Sequence, residues 1–445
     1  MNIERKVRSL ALNVIMHPRV LNAQRWMVEK RRRLGGARHR ISVFLQLDDP
    51  YSYLVSHYLP YIAKNYDVDL ELHLSQASGG DFQPAPDMLP EYAVLDCTRL
   101  ARELGVPFLD KGNFPPTERR AALTDAVAAR VGSDEFDSEL LQALAVYWRG
   151  DSSAAAQMSD VPGASGQGRA LVARSRKLQR KLAHYNSAML HYGGEWYWGV
   201  DRLHYLLARL DSLGAATSGS TDPALASIGP AMAVSLPVRP PAAARDLPPI
   251  ELFHSPRSPY SYLALKRSFE IADAFGLQLK LRPVLPMVMR GMKLPRSKLL
   301  YIARDTIREA RRLGIPFGKI ADPVGPGTER FMAVFTYAQS ERRERDFVLN
   351  AGVAIWSQAV DIATDEGMRK VAGRTGLFWP DVQKAMQNDA WRPEIEANRE
   401  SMMESGSWGV PTIRMGDLVL WGQDRDWLLV RHIEELCDTG DGILV

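Results

Sequence analysis

One six-residue stretch occurs twice in this chain and limits the fold more than any other feature. Asp49-Pro50-Tyr51-Ser52-Tyr53-Leu54 and Ser258-Pro259-Tyr260-Ser261-Tyr262-Leu263 differ only in their first residue. Each follows a short apolar run, residues 41–45 and 250–253, and each opens a helical pattern. A strand–turn–helix junction sets free backbone N–H groups and the positive end of a helix dipole beside the residue at the turn. In the second copy that residue is Ser258, whose hydroxyl suits a helix cap or an anion. In the first it is Asp49.

The flanking residues keep the same register. Tyr92 and Asp96 align with Tyr301 and Asp305 at the 209-residue step that separates Asp49 from Ser258. Leu104-Gly105-Val106-Pro107-Phe108 aligns with Leu313-Gly314-Ile315-Pro316-Phe317 at the same step. Gly just past a helix, with Pro two residues on, is a helix stop. Trp148 and Trp356 match at 208, and Trp198-Gly199-Val200-Asp201-Arg202 matches Trp421-Gly422-Gln423-Asp424-Arg425 at 223. Self-similarity on this scale reads as a tandem duplication, each copy a βαβ unit, a helical stretch and a ββα end.

The predicted division is a basic N-terminal helical arm at 1–40, a first domain at 41–213, a Pro/Ala-rich linker at 214–248 and a second domain at 249–445. The linker contains Pro223, Pro230, Pro237, Pro240, Pro241 and Pro248, a composition that buries too little apolar surface to pack. Within the first domain, residues 151–169 are rich in Ser, Ala and Gly and are expected to form a flexible loop, with a basic helix over 174–184.

Charge and cysteine content exclude several classes. The net charge is +4, and much of it comes from the first 40 residues, where Arg and Lys face only Glu4 and Glu29. A nucleic-acid footprint is therefore not expected. The arm interleaves Leu10, Val14, Ile15, Val20, Leu21 and Trp26 with its charges. It reads as a solvated helix packed by its apolar stripe, with a membrane-surface or partner helix as the alternative. Cys97 and Cys437 form no CxxC pair, which argues against a disulfide framework or structural zinc and fits a reducing cytoplasm. No run of 18 apolar residues exists, so no integral membrane segment is expected, and residues 10–16 are too short and polar for a signal peptide.

Near the end, Gly409-Val410-Pro411-Thr412-Ile413-Arg414-Met415, then Gly416-Asp417, then Leu418-Val419-Leu420-Trp421 predict strand, tight turn and strand, with Pro at the entrance of the first. A cis Val410–Pro411 bond would turn the N–H and C=O of Val410 toward an extended, peptide-like ligand. The order is a strand, SPYSYL, a long helical insert with Lys298, Tyr301, Asp305 and LGIPF, then GVPT, then WGQDR. It resembles the glutathione-using branch of the DsbA-like thioredoxin superfamily: 2-hydroxychromene-2-carboxylate isomerase and kappa-class glutathione transferase. The resemblance covers residues 249–436 and, more weakly, 41–213. It implies an α/β fold of two tandem thioredoxin-like (DsbA-like) domains, each with an α-helical insertion.

The resemblance also implies a glutathione-dependent isomerase or transferase acting on a small unsaturated carbonyl or aromatic compound. Ser258 takes the place of the catalytic serine that hydrogen-bonds the glutathione sulfur, where an O–H donor at a helix N-terminus favours the thiolate. Val410, before Pro411, takes the place of the residue whose backbone pairs with the cysteinyl segment. Gln423 and Asp424 take the places of the pair at the γ-glutamyl end, and Lys298 resembles a lysine reaching the glycyl carboxylate. Redox members carry CxxC where this chain has Ser258 to Ser261, so dithiol chemistry is excluded.

Plainer readings stand beside these. Ser258 can be an N-cap alone, Pro411 purely architectural, and Gln423 and Asp424 the cap of the last helix. Asp305 with Lys298 and Arg308 is read as a surface ion-pair cluster, and Tyr260, Tyr262 and Trp421 as core aromatics. His254 is read as a polar rim residue or, with Arg257, as an anion binder. Met287, Met289 and Met292 suggest an adaptable apolar wall. In the first copy Asp49, Ala188 and Val200 stand at the places of Ser258, Pro411 and Gln423, so residues 41–213 are expected to be catalytically degenerate, with a scaffold or partner role or a different ligand at Asp49. For the whole chain the alternative is a non-catalytic thioredoxin-fold binding or assembly protein. The repeat suggests a pseudo-dimer within the chain, or else a homodimer.

Overall fold

The structure is a computed structural model and describes residues 13–14, 17–108, 117–161, 164, 166–217 and 222–438. The chain divides into two compact units, one of Ala23–Ala233 with Pro295–Lys298, the other built on Val234–Leu294 and residues 299–438.

The N-terminal unit is built on a sheet of β1 (His39–Leu45), β2 (Val68–Leu74), β3 (Met189–Tyr192) and β4 (Glu195–Trp198), in the order β2-β1-β3-β4. β1 and β2 are parallel, and the β3–β4 hairpin joins antiparallel to β1. A parallel pair needs a crossover, here supplied by the helices after the first PYSYL. β1 is buried at every position but Arg40, as a central strand covered on both faces must be. The helices used below are α1 (Pro18–Leu34), α2 (Pro50–Ser56), α3 (Leu89–Leu104) and α4 (Leu203–Ser212).

The C-terminal unit repeats this plan with β5 (Ile250–His254), β6 (Leu279–Pro283), β7 (Thr412–Met415) and β8 (Leu418–Trp421), in the order β6-β5-β7-β8. Its helices include α5 (Pro259–Phe275), α6 (Arg296–Arg312) and α7 (Asp426–Asp438). The strand registers coincide pair by pair. Ile41 faces Leu70 as Ile250 faces Leu279, Phe44 faces Met189 as Phe253 faces Thr412, and Met189 faces Trp198 as Thr412 faces Trp421. These are the steps of 209 and 223 read from the sequence.

Buried side-chain bonds repeat as well. Tyr51 donates to Asp96 at 2.7 Å and Tyr260 to Asp305 at 2.8 Å. Tyr53 donates to the Pro107 carbonyl at 2.6 Å and Tyr262 to that of Pro316 at 2.7 Å. The Trp148 indole donates to Leu47 O at 2.8 Å, and that of Trp356 to Pro256 O at 3.1 Å. The repeated aromatics thus tie the first helix of each unit to the helical insert, and give a buried carboxylate a phenol donor. The first helix itself differs. α5 runs 17 residues to Gly276, but α2 stops at Ser56 and the chain restarts as Leu59–Asn65. Pro60 occupies the place of Phe269, and proline inside a helix removes an N–H and clashes with the preceding turn.

Four expectations change. Residues 151–169 are largely helical: Asp151 caps Ser152–Ser159 by accepting from Ala154 N at 2.9 Å, and the next helix already starts at Gln167. An Asp cap followed by alanines outweighs the loop-like composition. The Pro/Ala-rich stretch contains a helix, Pro223–Ala231, with Leu225 and Ile228 buried in the N-terminal unit. Pro223 sits at the helix start, where proline is tolerated. Asp305 is 1% exposed, a buried acceptor rather than part of a surface cluster. Finally, α1 buries no residue, so it is not packed by an apolar stripe.

Candidate functional site

Ser258 is the N-cap of α5. Its φ of −89° and ψ of 115° are extended, its Oγ accepts from Ser261 N at 3.1 Å, and Pro259 follows at the first helical position. Such a cap contributes about 1 kcal/mol. The hydroxyl proton points elsewhere, since Ser258 Oγ donates to Val410 O at 3.2 Å. This contact crosses from the helix start to the loop before β7, where the Val410–Pro411 peptide is cis. The Val410 carbonyl is therefore already engaged, whereas its N–H makes no hydrogen bond among the described residues.

Gln423 comes next. Gly422 N donates to Pro411 O at 3.0 Å, which fastens the start of the last helical segment to the same loop. Gln423 is 3% exposed, and its amide nitrogen donates to Glu309 Oε2 at 2.9 Å from α6. Glu309 is 1% exposed and also pairs with Arg312 at 2.9 Å. The amide oxygen of Gln423 is buried with no partner. A buried acceptor left open costs on the order of 1–3 kcal/mol, a deficit that a ligand N–H would remove. Asp424 lies beside it at 15% side-chain exposure, with its carboxylate 3.6 Å from Arg425.

The walls are apolar. A side chain at Gly409 would meet Trp421 Nε1 at 2.7 Å and Met287 Cε at 3.1 Å, so only glycine lets the chain reach Val410 here. Trp421 packs against Trp408 at 4.7 Å between ring centroids, and Val410 packs on Phe253, Val284 and Met402. Met287, Met289 and Met292 are half-buried.

Of the residues singled out in the sequence, Ser258 bonds Val410 directly, Pro411 is bonded to Gly422, and Gln423 and Asp424 follow Gly422 in the chain. Lys298 belongs to the other unit, where its ammonium donates to Phe82 O at 2.8 Å and burial lowers its pKa to about 8. His254 is fully buried rather than at a rim. Neither ring nitrogen has a partner, and burial holds its pKa down to about 3, so at neutral pH it carries no charge with which to bind an anion. Arg257 is spent on a two-pronged pair with Asp322 at 2.8 and 3.0 Å. Sequence reasoning missed Glu309, since a lone Glu on a helix rich in Arg gives no sign that it faces inward.

The N-terminal unit has a different set in the same places. Asp49 caps α2 by accepting from Tyr51 N at 3.2 Å and from Ser52 Oγ at 2.7 Å, and burial raises its carboxyl to about 6. Ala188 holds the place of Pro411, with its carbonyl accepting from Gly199 N at 2.8 Å as Pro411 O accepts from Gly422 N. The Gln423–Glu309 pair has no polar counterpart: the residues at its places are Val200 and Leu100, both buried.

Residues 249–434 match the DSBA-like thioredoxin domain. The chain is also distantly homologous to two enzymes named 2-hydroxychromene-2-carboxylate isomerase. The protein from Pseudomonas putida is 24% identical over 188 residues, which cover 40% of this chain and 91% of that one. The protein from Sphingobium xenophagum is 24% identical over 176 residues, 38% of this chain and 89% of that one. A solved structure of a 2-hydroxychromene-2-carboxylate isomerase is 22% identical, with a TM-score of 0.39, and covers 44% of this chain and 99% of that one. No helix among the described residues is long and apolar enough to cross a membrane.

Proposed function

We propose that the C-terminal unit binds glutathione and uses it to isomerise, or to conjugate, a small unsaturated carbonyl or aromatic compound. The observation that carries this reading is that the Ser258 hydroxyl bonds the loop at Val410, whose N–H is unpaired among the described residues, and that the same loop is bonded to Gly422, the neighbour of Gln423 with its unpaired amide oxygen. Together they offer a sulfur donor at a helix N-terminus, a backbone donor for an extended peptide, and an acceptor for an ammonium. Distant homology to the isomerases supports the same reading.

When bound, glutathione supplies a thiolate that adds reversibly to an electrophilic carbon. Ser258 donates its O–H to that sulfur once it leaves Val410 O, and so lowers the thiol pKa. Val410 N–H holds the cysteinyl carbonyl. Gln423 accepts from the γ-glutamyl ammonium, and Asp424 adds negative charge beside it. Met287 and Trp421 line the approach and keep water from the sulfur. Ser258-Pro259-Tyr260-Ser261 contains no cysteine, so in this reading the thiol comes from the ligand.

We also infer that the two units arose by tandem duplication, supported by the coincident registers and repeated tyrosine bonds, and that the N-terminal copy has lost the chemistry. The test is turnover. The full chain with glutathione is expected to interconvert the cis and trans forms of a hydroxylated unsaturated keto acid or to conjugate an activated aryl halide, and to do neither without glutathione. Absence of both activities would favour a non-catalytic role for the fold.

A further inference from the structure

The strongest feature outside the site is α1, from Ala23 to Leu34, within the N-terminal unit. Trp26 is 61% exposed, Met27 47% and Leu34 78%. At helical spacing these three share one face with Lys30 and Arg33. Lys30 Nζ stands 4.7 Å over the Trp26 ring. A groove of about 570 Å³ runs along this face, lined by Trp26, Lys30, Arg33, Leu34 and Leu213 among others. Arg25 and Glu29 also line this groove, and Arg25 fastens the helix to its unit by a two-pronged pair with Glu195 at 2.5 and 2.8 Å. Of its cations, Arg32 and Arg33 pair with Glu29, while Lys30 and Arg31 form no ion pair among the described residues. The segment carries Arg25, Lys30, Arg31, Arg32 and Arg33 against the single acid Glu29.

We propose that this face of α1 docks on an anionic lipid bilayer. Three large apolar side chains left in water on one helix face need an apolar phase to enter, and the cations beside them set the charge of that phase. A tryptophan with an ammonium over its ring suits the headgroup level, where amphipathic rings and snorkelling lysines settle. Each cation near an anionic surface adds attraction that fades within a Debye length. The face is independent of the glutathione site, and the proposal stands or falls without it.

The experiment is co-sedimentation of the full chain with vesicles of phosphatidylcholine alone and with roughly 30% phosphatidylglycerol added. Binding is expected only to the anionic vesicles, with release at about 0.5 M salt. Two double variants, Trp26→Ala with Leu34→Ala and Lys30→Gln with Arg31→Gln, are each expected to weaken binding about tenfold or more. All four side chains lie outside the core, and an unchanged circular dichroism melt verifies folding. Failure to sediment with anionic vesicles, equal binding to neutral ones, or wild-type binding by both variants overturns the proposal. So does retention on a polyglutamate matrix without vesicle binding, which would point to an acidic protein surface instead.

Discussion

Gln423 donates its amide to Glu309 at 2.9 Å, and the residues at the same two places in the N-terminal unit are Val200 and Leu100. Matching places thus carry a polar pair in one unit and an apolar pair in the other. Gln423→Val alone strips a donor from a buried carboxylate and is expected to cost about 1–3 kcal/mol. Adding Glu309→Leu should recover part of that loss, because the carboxylate left short of a donor goes too, while Arg312, which Glu309 also pairs, is exposed enough to meet water. Urea unfolding of the two single variants and the double variant measures the coupling. The double variant is expected to be folded yet to have lost glutathione affinity. Additive losses without recovery would show that the two residues do not act as a pair.

The Tyr260–Asp305 bond makes a structural prediction. Tyr260→Phe leaves the buried Asp305 carboxylate without its phenol donor and should cost about 1–3 kcal/mol. Tyr51→Phe, which strips Asp96 in the same way, should cost a similar amount. Denaturant midpoints measure both, and a loss confined to one unit would break the parallel between them.

His254 sets an acid limit on the C-terminal unit. The unfolded chain takes up this proton near pH 6.5, the folded chain only near about 3. Its contribution is therefore complete above pH 6.5 and lost as the pH falls below that value. His254→Leu, packed among Phe331 and Phe335, should be no less stable at pH 7 and should lose less stability between pH 6.5 and pH 4. Parallel melts across that range decide it.

Asp49 has the opposite sign. Its folded carboxyl titrates near 6 against an ordinary 3.8, so the proton stabilises the fold at low pH and that contribution is lost as the pH rises through 6. Asp49→Asn keeps an oxygen for Tyr51 N and removes the charge. Because the side chain is half-buried, the expected gain at pH 8 is about 1 kcal/mol, vanishing near pH 4. A gain that does not change with pH would mean that the charge is not its source.

Much of this was legible in the sequence wherever one residue type admits one solution. The PYSYL repeat, the Gly–Pro helix stops and the tryptophans marked the repeated register, because helix starts, helix stops and large aromatics each occupy a particular place. What stayed hidden depended on partners distant in sequence. Asp305 was read with its helical neighbours Lys298 and Arg308, but its phenol partner lies 45 residues upstream. Glu309 carried no outward sign of burial. The helix at Pro223–Ala231 was obscured because proline counts look the same whether proline starts a helix or breaks a chain. The apolar residues of α1 suggested packing, and only the structure shows that Trp26, Met27 and Leu34 are left in water.

The most direct test of the central claim is calorimetric titration of the full chain with glutathione, repeated with Ser258→Ala and Asp49→Asn. The account predicts about one glutathione per chain, with binding accompanied by thiolate absorbance at neutral pH. Ser258→Ala should abolish that absorbance and weaken binding, while Asp49→Asn should leave both as they are. No binding at millimolar glutathione, two sites per chain, or a thiolate signal that survives Ser258→Ala would contradict it.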